Sequence, residues 1–474
     1  MKKFSFSLSD LYKDSFIYGL AEFLQKGISF FLLPLYTRYL NPEDYGVLAL
    51  LTIISTILPP IASLGLPNAI FRQVSLKSKD KDEVFCVGFV TIFLSALFLV
   101  LISISISETI CKILIGSLDS GLIRLVNITL LTSFFICMYN VPKLFFRAQR
   151  RAKLTSVLNL THVILSISVS LLLVVYYDMK LSGVVYANFI SIIISTILNY
   201  IFVYKYIKIV FDFSLLRRML YYGLPIVPSR IQGFGIIYFG QYMVNNNFGL
   251  IELGLYSIAM KICTPFNVIV QAVHQAWVPL KFHIYADSKY AQSNISHIVK
   301  IHFLSVALIW LLISINGPLL IELFIPEKFH SASKLVPFLA FVPLCNSIYN
   351  SLSSGFGITD KTLHLPLVNF LGLISIIFLT TILIKNFGIY GVAVASSISW
   401  VIMAMAIYYI SQKQYKIDYN ILSFIYIIFI SLMFYIIYVI VLDLKLLNIY
   451  IYNFLFSVSC ILSFKIIYNI IQSE

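Results

Sequence analysis

The stretch SFIYGLAEFLQKGISFFLLPLYTRYLNPEDYG, residues 15–46, decides the class of fold. It reads as a long apolar helix that ends in the polar turn NPED at residues 41–44. Glu22 and Lys26 are four residues apart, so they share one face of this helix and can pair. A charged pair inside a helix of membrane-spanning length should face protein or water and not lipid. The first helix therefore predicts an all-α bundle with a polar interior.

The composition is that of a protein built within a lipid bilayer. Of the 474 residues, 60% are hydrophobic and only 11% are charged, and the mean hydropathy is +0.93. Because soluble domains carry about 25% charged residues, the chain is predicted to be a multi-pass membrane protein. The opening MKKFSFSLSDLYKDS has no apolar segment before a small-residue cleavage site, so we expect no cleaved signal peptide. The six cysteines show neither metal-ligand nor disulfide spacing, and we expect no bound metal.

Apolar runs of spanning length predict about fourteen transmembrane helices. We place them at residues 15–40, 44–70, 84–107, 121–145, 155–177, 183–204, 219–243, 251–280, 299–320, 335–354, 364–384, 389–410, 420–441 and 447–470. An even number of spans places both termini on one side of the membrane.

The positive charges predict which side that is. The formal net charge is +14, and the Lys and Arg residues concentrate in alternate short loops. Because cytoplasmic loops carry an excess of these residues, both termini are predicted to be cytoplasmic. The charges do not form one continuous basic surface, so we expect no nucleic-acid partner.

The chain also contains an internal repeat. NPEDYGVLALLTII resembles LIELGLYSIAMKIC with Gly46 matching Gly254, and LSGVVYANFISIIIS resembles IYGVAVASSISWVIM with Gly183 matching Gly391. Both matches have an offset of 208 residues. A third match, at an offset of 210, pairs Tyr139, Asn140, Phe146 and Asn159 with Tyr349, Asn350, Phe356 and Asn369.

These three matches, which we call anchors, occur in the same order in both halves of the chain. This order predicts that six helices were duplicated in parallel. We expect an N-terminal six-helix lobe at residues 1–211, a C-terminal six-helix lobe at 212–416, and an extra transmembrane helix pair at 417–474. Parallel repeats with a binding site near the bilayer midplane are a transporter arrangement.

The sequence resembles a known family over its whole length. SFIYGLAEFLQKGISFFLLPLYTRYLNPEDYGVLAL resembles the start of bacterial polysaccharide exporters, including the O-antigen flippases, of the multidrug/oligosaccharidyl-lipid/polysaccharide exporter superfamily. YYGLPIVPSRIQGF and GLYSIAMKICTPF resemble the seventh and eighth helices of that family, and IYGVAVASSISW resembles its eleventh-to-twelfth junction.

The resemblance implies a fold and a function. Two six-helix lobes would form a V-shaped central cavity that opens alternately to the cytoplasm and the periplasm. The cargo would be an undecaprenyl-diphosphate-linked O-antigen or capsular repeat unit, carried across the bacterial inner membrane. The polymerase and the chain-length regulator of the same pathway would be further partners, and the protein would be a transporter rather than an enzyme.

A diphosphate cargo requires cations in a wet cavity, because a lone anion in apolar surroundings is costly. Arg230, Lys26 and Lys261 are predicted to be basic residues of the transmembrane helices, and we predict that they bind substrate. Arg230 follows two prolines, has no carboxylate within one helical turn, and carries a guanidinium suited to phosphate. Lys26 also fits a structural ion pair with Glu22, and Lys261 equally fits a role in helix packing.

Further polar residues are candidates for lesser roles. Glu22 either couples transport to H⁺ or Na⁺ or serves as a counter-ion, and no other cofactor is implied. The cationic candidates for the cytoplasmic mouth, which also fit a plain topology signal, are Arg147, Arg150 and Arg151.

Sugar contacts are predicted on two polar helical stripes. The candidates are Asn159, His162, Asn267 and Gln271, since amide and imidazole groups hydrogen-bond sugar hydroxyls. The alternative is ordinary hydrogen bonding between helices, which such residues also provide.

Three other functions fit parts of the sequence. A lipid II flippase is a near relative, and a multidrug or cation exporter of the same superfamily would require an acid-rich cavity. An O-antigen polymerase-type membrane enzyme would require a sizeable periplasmic loop, which the predicted topology lacks.

Overall fold

The computed structural model describes residues 32–75, 80–149, 151–206, 211–271, 291–353, 365–414, 416–417, 419, 421–443 and 449–473. Within these residues the regular structure is entirely helical. The α-helices are α1 Pro42–Ala62, α2 Leu66–Ser75, α3 Lys81–Ser105, α4 Ser107–Leu114, α5 Ser120–Ala148, α6 Ala152–Ser170, α7 Lys180–Val203, α8 Phe213–Gly223, α9 Ile226–Ile262, α10 Ala291–Phe324, α11 Val336–Leu352, α12 Leu365–Gln414, α13 Ile421–Asp443 and α14 Ile449–Ser473.

The chain forms two compact units, Met1–Gly254 and Leu255–Glu474. Nine helices of the described residues are long and apolar enough to span a membrane, or ten when a bent pair counts as one span. The protein is thus a multi-pass, all-α membrane protein, as the composition predicts. The total of fourteen spans and the lobe boundaries at 211 and 416 stay predictions.

Glycines in the left-handed backbone region break two of the long helices. Gly249 in α9 has φ 84° and Gly388 in α12 has φ 59°. The apolar segment Pro366–Lys413 has 48 residues, about twice the roughly 20 residues that one span needs. The break at Gly388 therefore divides α12 into two segments of spanning length, which agrees with the predicted helices at 364–384 and 389–410.

The first unit departs from the predicted helices at two points. The predicted span 44–70 is divided, because Leu64 and Gly65 have positive φ values of 52° and 68° between α1 and α2. The predicted span 219–243 begins inside a separate helix, α8, whose first turn is capped by Asp212. Pro225 follows α8 and has no backbone N–H, so it cannot donate the next hydrogen bond of the helix, and the helix ends here.

The core of the first unit packs α2, α3, α5 and α8 together. Phe85, Phe145 and Phe146 are fully buried there, and Met219 brings the inner face of α8 against them. The ring centroids of Phe85 and Phe145 are 4.7 Å apart. This packing fixes the ends of α1 and α5, which carry part of the candidate site described below.

The internal repeat is visible as one hydrogen bond made twice. The Tyr139 hydroxyl donates to Asn159 Oδ1 at 3.3 Å in the first unit. The Tyr349 hydroxyl donates to Asn369 Oδ1 at 3.3 Å in the second. These are the residues that the third sequence anchor pairs, so this anchor makes the same side-chain hydrogen bond in both halves.

The glycine anchors of the repeat mark close backbone approaches. A Cβ on Gly46 would overlap the carbonyl oxygen of Leu250, and a Cβ on Gly254 would overlap that of Pro42. Leu250 follows Pro42 by the same 208 residues that separate the two glycines, so the contact is reciprocal. Only glycine allows two helices to approach so closely at these positions.

The last two helices are bound to α10 by polar side chains. Asn316 in α10 donates to Ser457 Oγ at 3.0 Å, and Tyr438 donates to Asn453 Oδ1 at 2.8 Å. Tyr438 and Asn453 both also reach the carbonyl oxygen of Ile315. The extra helix pair is therefore an integral part of the second unit.

Candidate functional site

Two predicted cations line one cavity of the first unit. Arg147, near the end of α5, and Arg230, in the second turn of α9, both border a space of about 320 Å³. We call it the arginine cavity. Its other lining residues are Pro59, Pro60, Ser63, Gly65, Pro67, Asn68, Cys137, Asn140, Leu144, Ile226 and Val227.

The break between α1 and α2 shapes this cavity. Pro59 and Pro60 lie in the last turn of α1, where they remove two backbone donors from the helix. The turn at Leu64 and Gly65 follows, and a Cβ on Gly65 would overlap the carbonyl oxygen of Gly223. Close packing of these two glycines holds α2 and α8 beside the start of α9, where Arg230 lies.

The electrostatics of the arginine cavity favour an anion. Arg147 and Arg230 are both exposed, and none of the described lining residues is acidic. Asn68 and Asn140 add neutral amide groups that can donate hydrogen bonds. Two guanidinium groups with amide donors are the kind of site that binds phosphate oxygens.

A second cavity lies among α1, α5, α6 and α7, and we call it the hydroxyl cavity. Its volume is about 160 Å³, and its polar lining consists of Thr52, Ser55, Thr129, Thr132, His162 and Asn188. His162 Nδ1 is 2.9 Å from Ser195 Oγ. The His162 ring lies 5.1 Å from the ring of Tyr139, and Lys143 Nζ is 4.7 Å from the centre of the same tyrosine ring.

The structure gives the other predicted residues varied positions. Asn159 accepts the Tyr139 hydrogen bond and is not among the residues that line the hydroxyl cavity with His162. Asn267 is exposed and donates to the Cys263 carbonyl of its own helix at 3.4 Å. Gln271 is exposed in the helical segment that follows α9, and Lys261 is half-buried in the part of α9 that belongs to the second unit.

Arg151, another candidate for the cytoplasmic mouth, does not line the arginine cavity. Arg151 donates to the Tyr206 hydroxyl at 2.9 Å, and Lys81 Nζ lies 5.4 Å from the centre of the same ring. Arg151 therefore ties two connecting segments together, which is a structural role. Arg150, Lys26 and Glu22 lie outside the described residues.

Sequence reasoning missed most of the neutral residues of both cavities. Asn68 and Asn140 line the arginine cavity, and the threonines and Asn188 line the hydroxyl cavity. A serine or threonine inside a helix usually bonds to its own backbone, so these residue types alone do not signal a site. Among the described residues, no group of three or more His, Cys, Asp or Glu side chains could hold a metal ion.

Comparison with known protein families gives a match over most of the chain. The family model described as "Polysaccharide biosynthesis protein" matches residues 35–334, more than half of the chain. No curated protein sequence matches the chain.

Solved structures of multidrug transporters share the fold. An inward-facing multidrug resistance MATE family transporter of the MOP superfamily is 15% identical, with 84% of this chain and 94% of that chain covered and a TM-score of 0.69. An outward-facing one is 14% identical, with 85% of this chain and 95% of that chain covered and a TM-score of 0.62. At these identities the likeness shows the fold alone.

Proposed function

Since this chain belongs to the polysaccharide biosynthesis protein family, we propose that it is a flippase for an undecaprenyl-diphosphate-linked O-antigen or capsular repeat unit. In this proposal the cargo passes from the cytoplasmic to the periplasmic leaflet of the bacterial inner membrane. Both termini lie in the cytoplasm, and transport proceeds by alternating access. The MOP-superfamily fold is the fold of an exporter, which supports this proposal.

The observation that carries the proposal is the pair of arginines in one cavity. Arg147 and Arg230 line the same space, and none of its described lining residues is a carboxylate. A diphosphate offers oxygens to both guanidinium groups, and each group can make two parallel hydrogen bonds. We assign the diphosphate to this cavity, which lies at the predicted cytoplasmic ends of α1 and α5.

The repeat extends this assignment to the first helix. Arg230 follows the tripeptide Tyr222-Gly223-Leu224 by six residues, and Lys26 follows Tyr18-Gly19-Leu20 by six residues. Aligned on this tripeptide, at an offset of 204 residues and so one helical turn away from the offset of the glycine anchors, the two cations hold equivalent positions in the two halves. This equivalence supports Lys26 as a second cationic contact for the same cargo.

The chemistry of the cargo explains why a protein is needed. A polar sugar chain has to cross about 30 Å of hydrocarbon, where unpaired hydroxyl groups are costly. A cavity lined by hydroxyl, amide and guanidinium groups replaces water for the head group, while the polyprenyl tail stays among the lipids. Coupling to H⁺ or Na⁺ through Glu22, and cooperation with the polymerase and chain-length regulator, belong to the same proposal.

A multidrug exporter is the second candidate function, because the similar solved structures are multidrug transporters. Export of cationic drugs would require acidic groups in the binding cavity. The described lining of both cavities lacks carboxylates, so the geometry favours the anionic cargo. A lipid II flippase would use the same cationic site. The two functions differ in the sugar chain that the cargo carries.

Proteoliposomes with the purified chain test the proposal. The lipid-linked glycan, extracted from a host that lacks this gene, should become accessible to an external glycosidase only when the chain is present. The cationic dye ethidium should not be transported. Ethidium transport without any movement of the glycan would instead establish the multidrug function.

A further inference from the structure

We propose that the hydroxyl cavity binds one neutral sugar residue of the cargo while the arginine cavity holds the diphosphate. This inference rests on the proposed function and deepens it, since it assigns a separate site to the glycan.

The depth of the hydroxyl cavity suits a head group in transit. Thr52 is at the centre of α1, and Thr132 and Asn188 lie in the interior of α5 and α7. Thr52 and Asn188 are also exposed. Polar side chains exposed in the middle of spanning helices should face a wet cavity and not lipid.

The hydrogen-bonding pattern selects a ligand that is rich in donors. The hydroxyl groups of Thr52, Thr129 and Thr132 each donate to a carbonyl oxygen one turn earlier in their own helix, at 2.7–2.8 Å. Ser55 does the same at 3.1 Å. Because their hydrogens are engaged, the four oxygens face a ligand as acceptors. Sugar hydroxyl groups are donors of matching strength and size.

The neutrality of the lining excludes an ion as the preferred ligand. None of the described residues that line the hydroxyl cavity is a carboxylate, lysine or arginine. An ion placed there would lose its hydration without an opposite charge in contact. The volume of about 160 Å³ holds several water molecules, which suits one sugar ring and not a whole repeat unit.

The internal repeat allows the hydroxyl-cavity residues to be compared with their equivalents in the second half. A residue that the fold itself requires should be kept in both halves. Both halves keep the tyrosine–asparagine hydrogen bond, yet five of the six polar positions of the hydroxyl cavity have no amide, imidazole or hydroxyl group in the second half. The pairs are Thr52 and Met260, Ser55 and Cys263, Thr129 and Leu339, Thr132 and Val342, His162 and Gly372, and Asn188 and Ser396. The same helices therefore pack without these groups, which points to a ligand in the first unit.

Ordinary helix packing explains the lining less well. Polar residues that hold helices together do so by hydrogen bonds between helices. The threonines of the hydroxyl cavity donate within their own helices, and Asn188 has no hydrogen-bond partner for its side chain among the described residues. Its amide remains available to a ligand as both donor and acceptor.

The test compares binding of two probes to the full chain in lipid nanodiscs. The probes are undecaprenyl diphosphate and the undecaprenyl-diphosphate-linked glycan extracted from a host lacking this gene. The wild type should bind the glycan-bearing probe more tightly. The isosteric double variant Thr129→Val/Thr132→Val should bind it about tenfold more weakly, with affinity for undecaprenyl diphosphate changed less than about twofold.

Two further variants control for folding. Thr161→Val removes a hydroxyl that donates to its own helix at 2.9 Å but lines neither cavity, so both affinities should remain at the wild-type values. Asn188→Ser, which introduces the residue of the second half, should weaken only the glycan-bearing probe. If the double variant and Asn188→Ser both keep the wild-type preference for the glycan-bearing probe, the assignment of the sugar site is wrong. The proposed flippase function would then still stand. A wild type that binds neither probe would overturn the proposed function as well.

Discussion

Replacing Arg230 by alanine should lower glycan export by about 100-fold, or about 3 kcal/mol, because two charge-assisted hydrogen bonds to the diphosphate are lost. Insertion and expression should not change, since the Arg230 side chain is exposed and helps to line a cavity. Arg230→Lys should retain part of the activity, because lysine keeps the charge but loses the planar fork. Surface glycan, normalised to the amount of protein in the membrane, measures the effect.

The matched control is Arg217→Ala. Arg217 is an exposed arginine of α8 that does not line the arginine cavity, so export should stay at the wild-type level. The double variant Arg147→Ala/Arg230→Ala provides a further test. If both arginines hold one diphosphate, their free-energy effects should not add. Wild-type export in a well-expressed Arg230→Ala strain would refute the assignment of the diphosphate to this cavity.

Replacing Gly254 by alanine should lower the free energy of unfolding by more than about 3 kcal/mol, which is an exceptional effect for one methyl group. The added Cβ would overlap the carbonyl oxygen of Pro42. Pro42 is the first residue of α1, and its neighbours form a capping box between Asn41 and Asp44, so the backbone there cannot easily yield. The midpoint of thermal unfolding in detergent measures the loss.

Gly233→Ala is the control in the same helix. No atom lies within 4 Å of a Cβ placed on Gly233, so alanine should leave stability unchanged or raise it by about 0.4–1 kcal/mol through its better helix propensity. Equal unfolding midpoints for Gly254→Ala and Gly233→Ala would contradict the close approach at the repeated glycines.

The sequence predicts the helices well because each span must be apolar for about 20 residues. The breaks between neighbouring helices are less visible in the sequence. Residues 44–70 read as one apolar run, but Leu64 and Gly65 turn the backbone between α1 and α2. The amphipathic helix α8 ends before Pro225, where hydropathy alone continues into the next span.

The site was only partly predictable, because tertiary packing decides which residues meet. Arg147 and Arg230 are distant in the sequence, which predicts the first at the cytoplasmic mouth and the second in the substrate cavity, but they line one space. His162 was predicted as a sugar contact and lines the hydroxyl cavity. The threonines beside it look like ordinary helix residues, and only their common cavity and the comparison of the two halves distinguish them.

The most direct test of the flippase is the location of the glycan in a host that lacks the gene. Spheroplasts of this strain are treated with a glycan-trimming enzyme that cannot cross the inner membrane. We predict that undecaprenyl-linked single repeat units accumulate on the cytoplasmic side, protected from the enzyme. Repeat units that accumulate outside, trimmed and unpolymerised, would contradict the account, because the protein would then act after translocation.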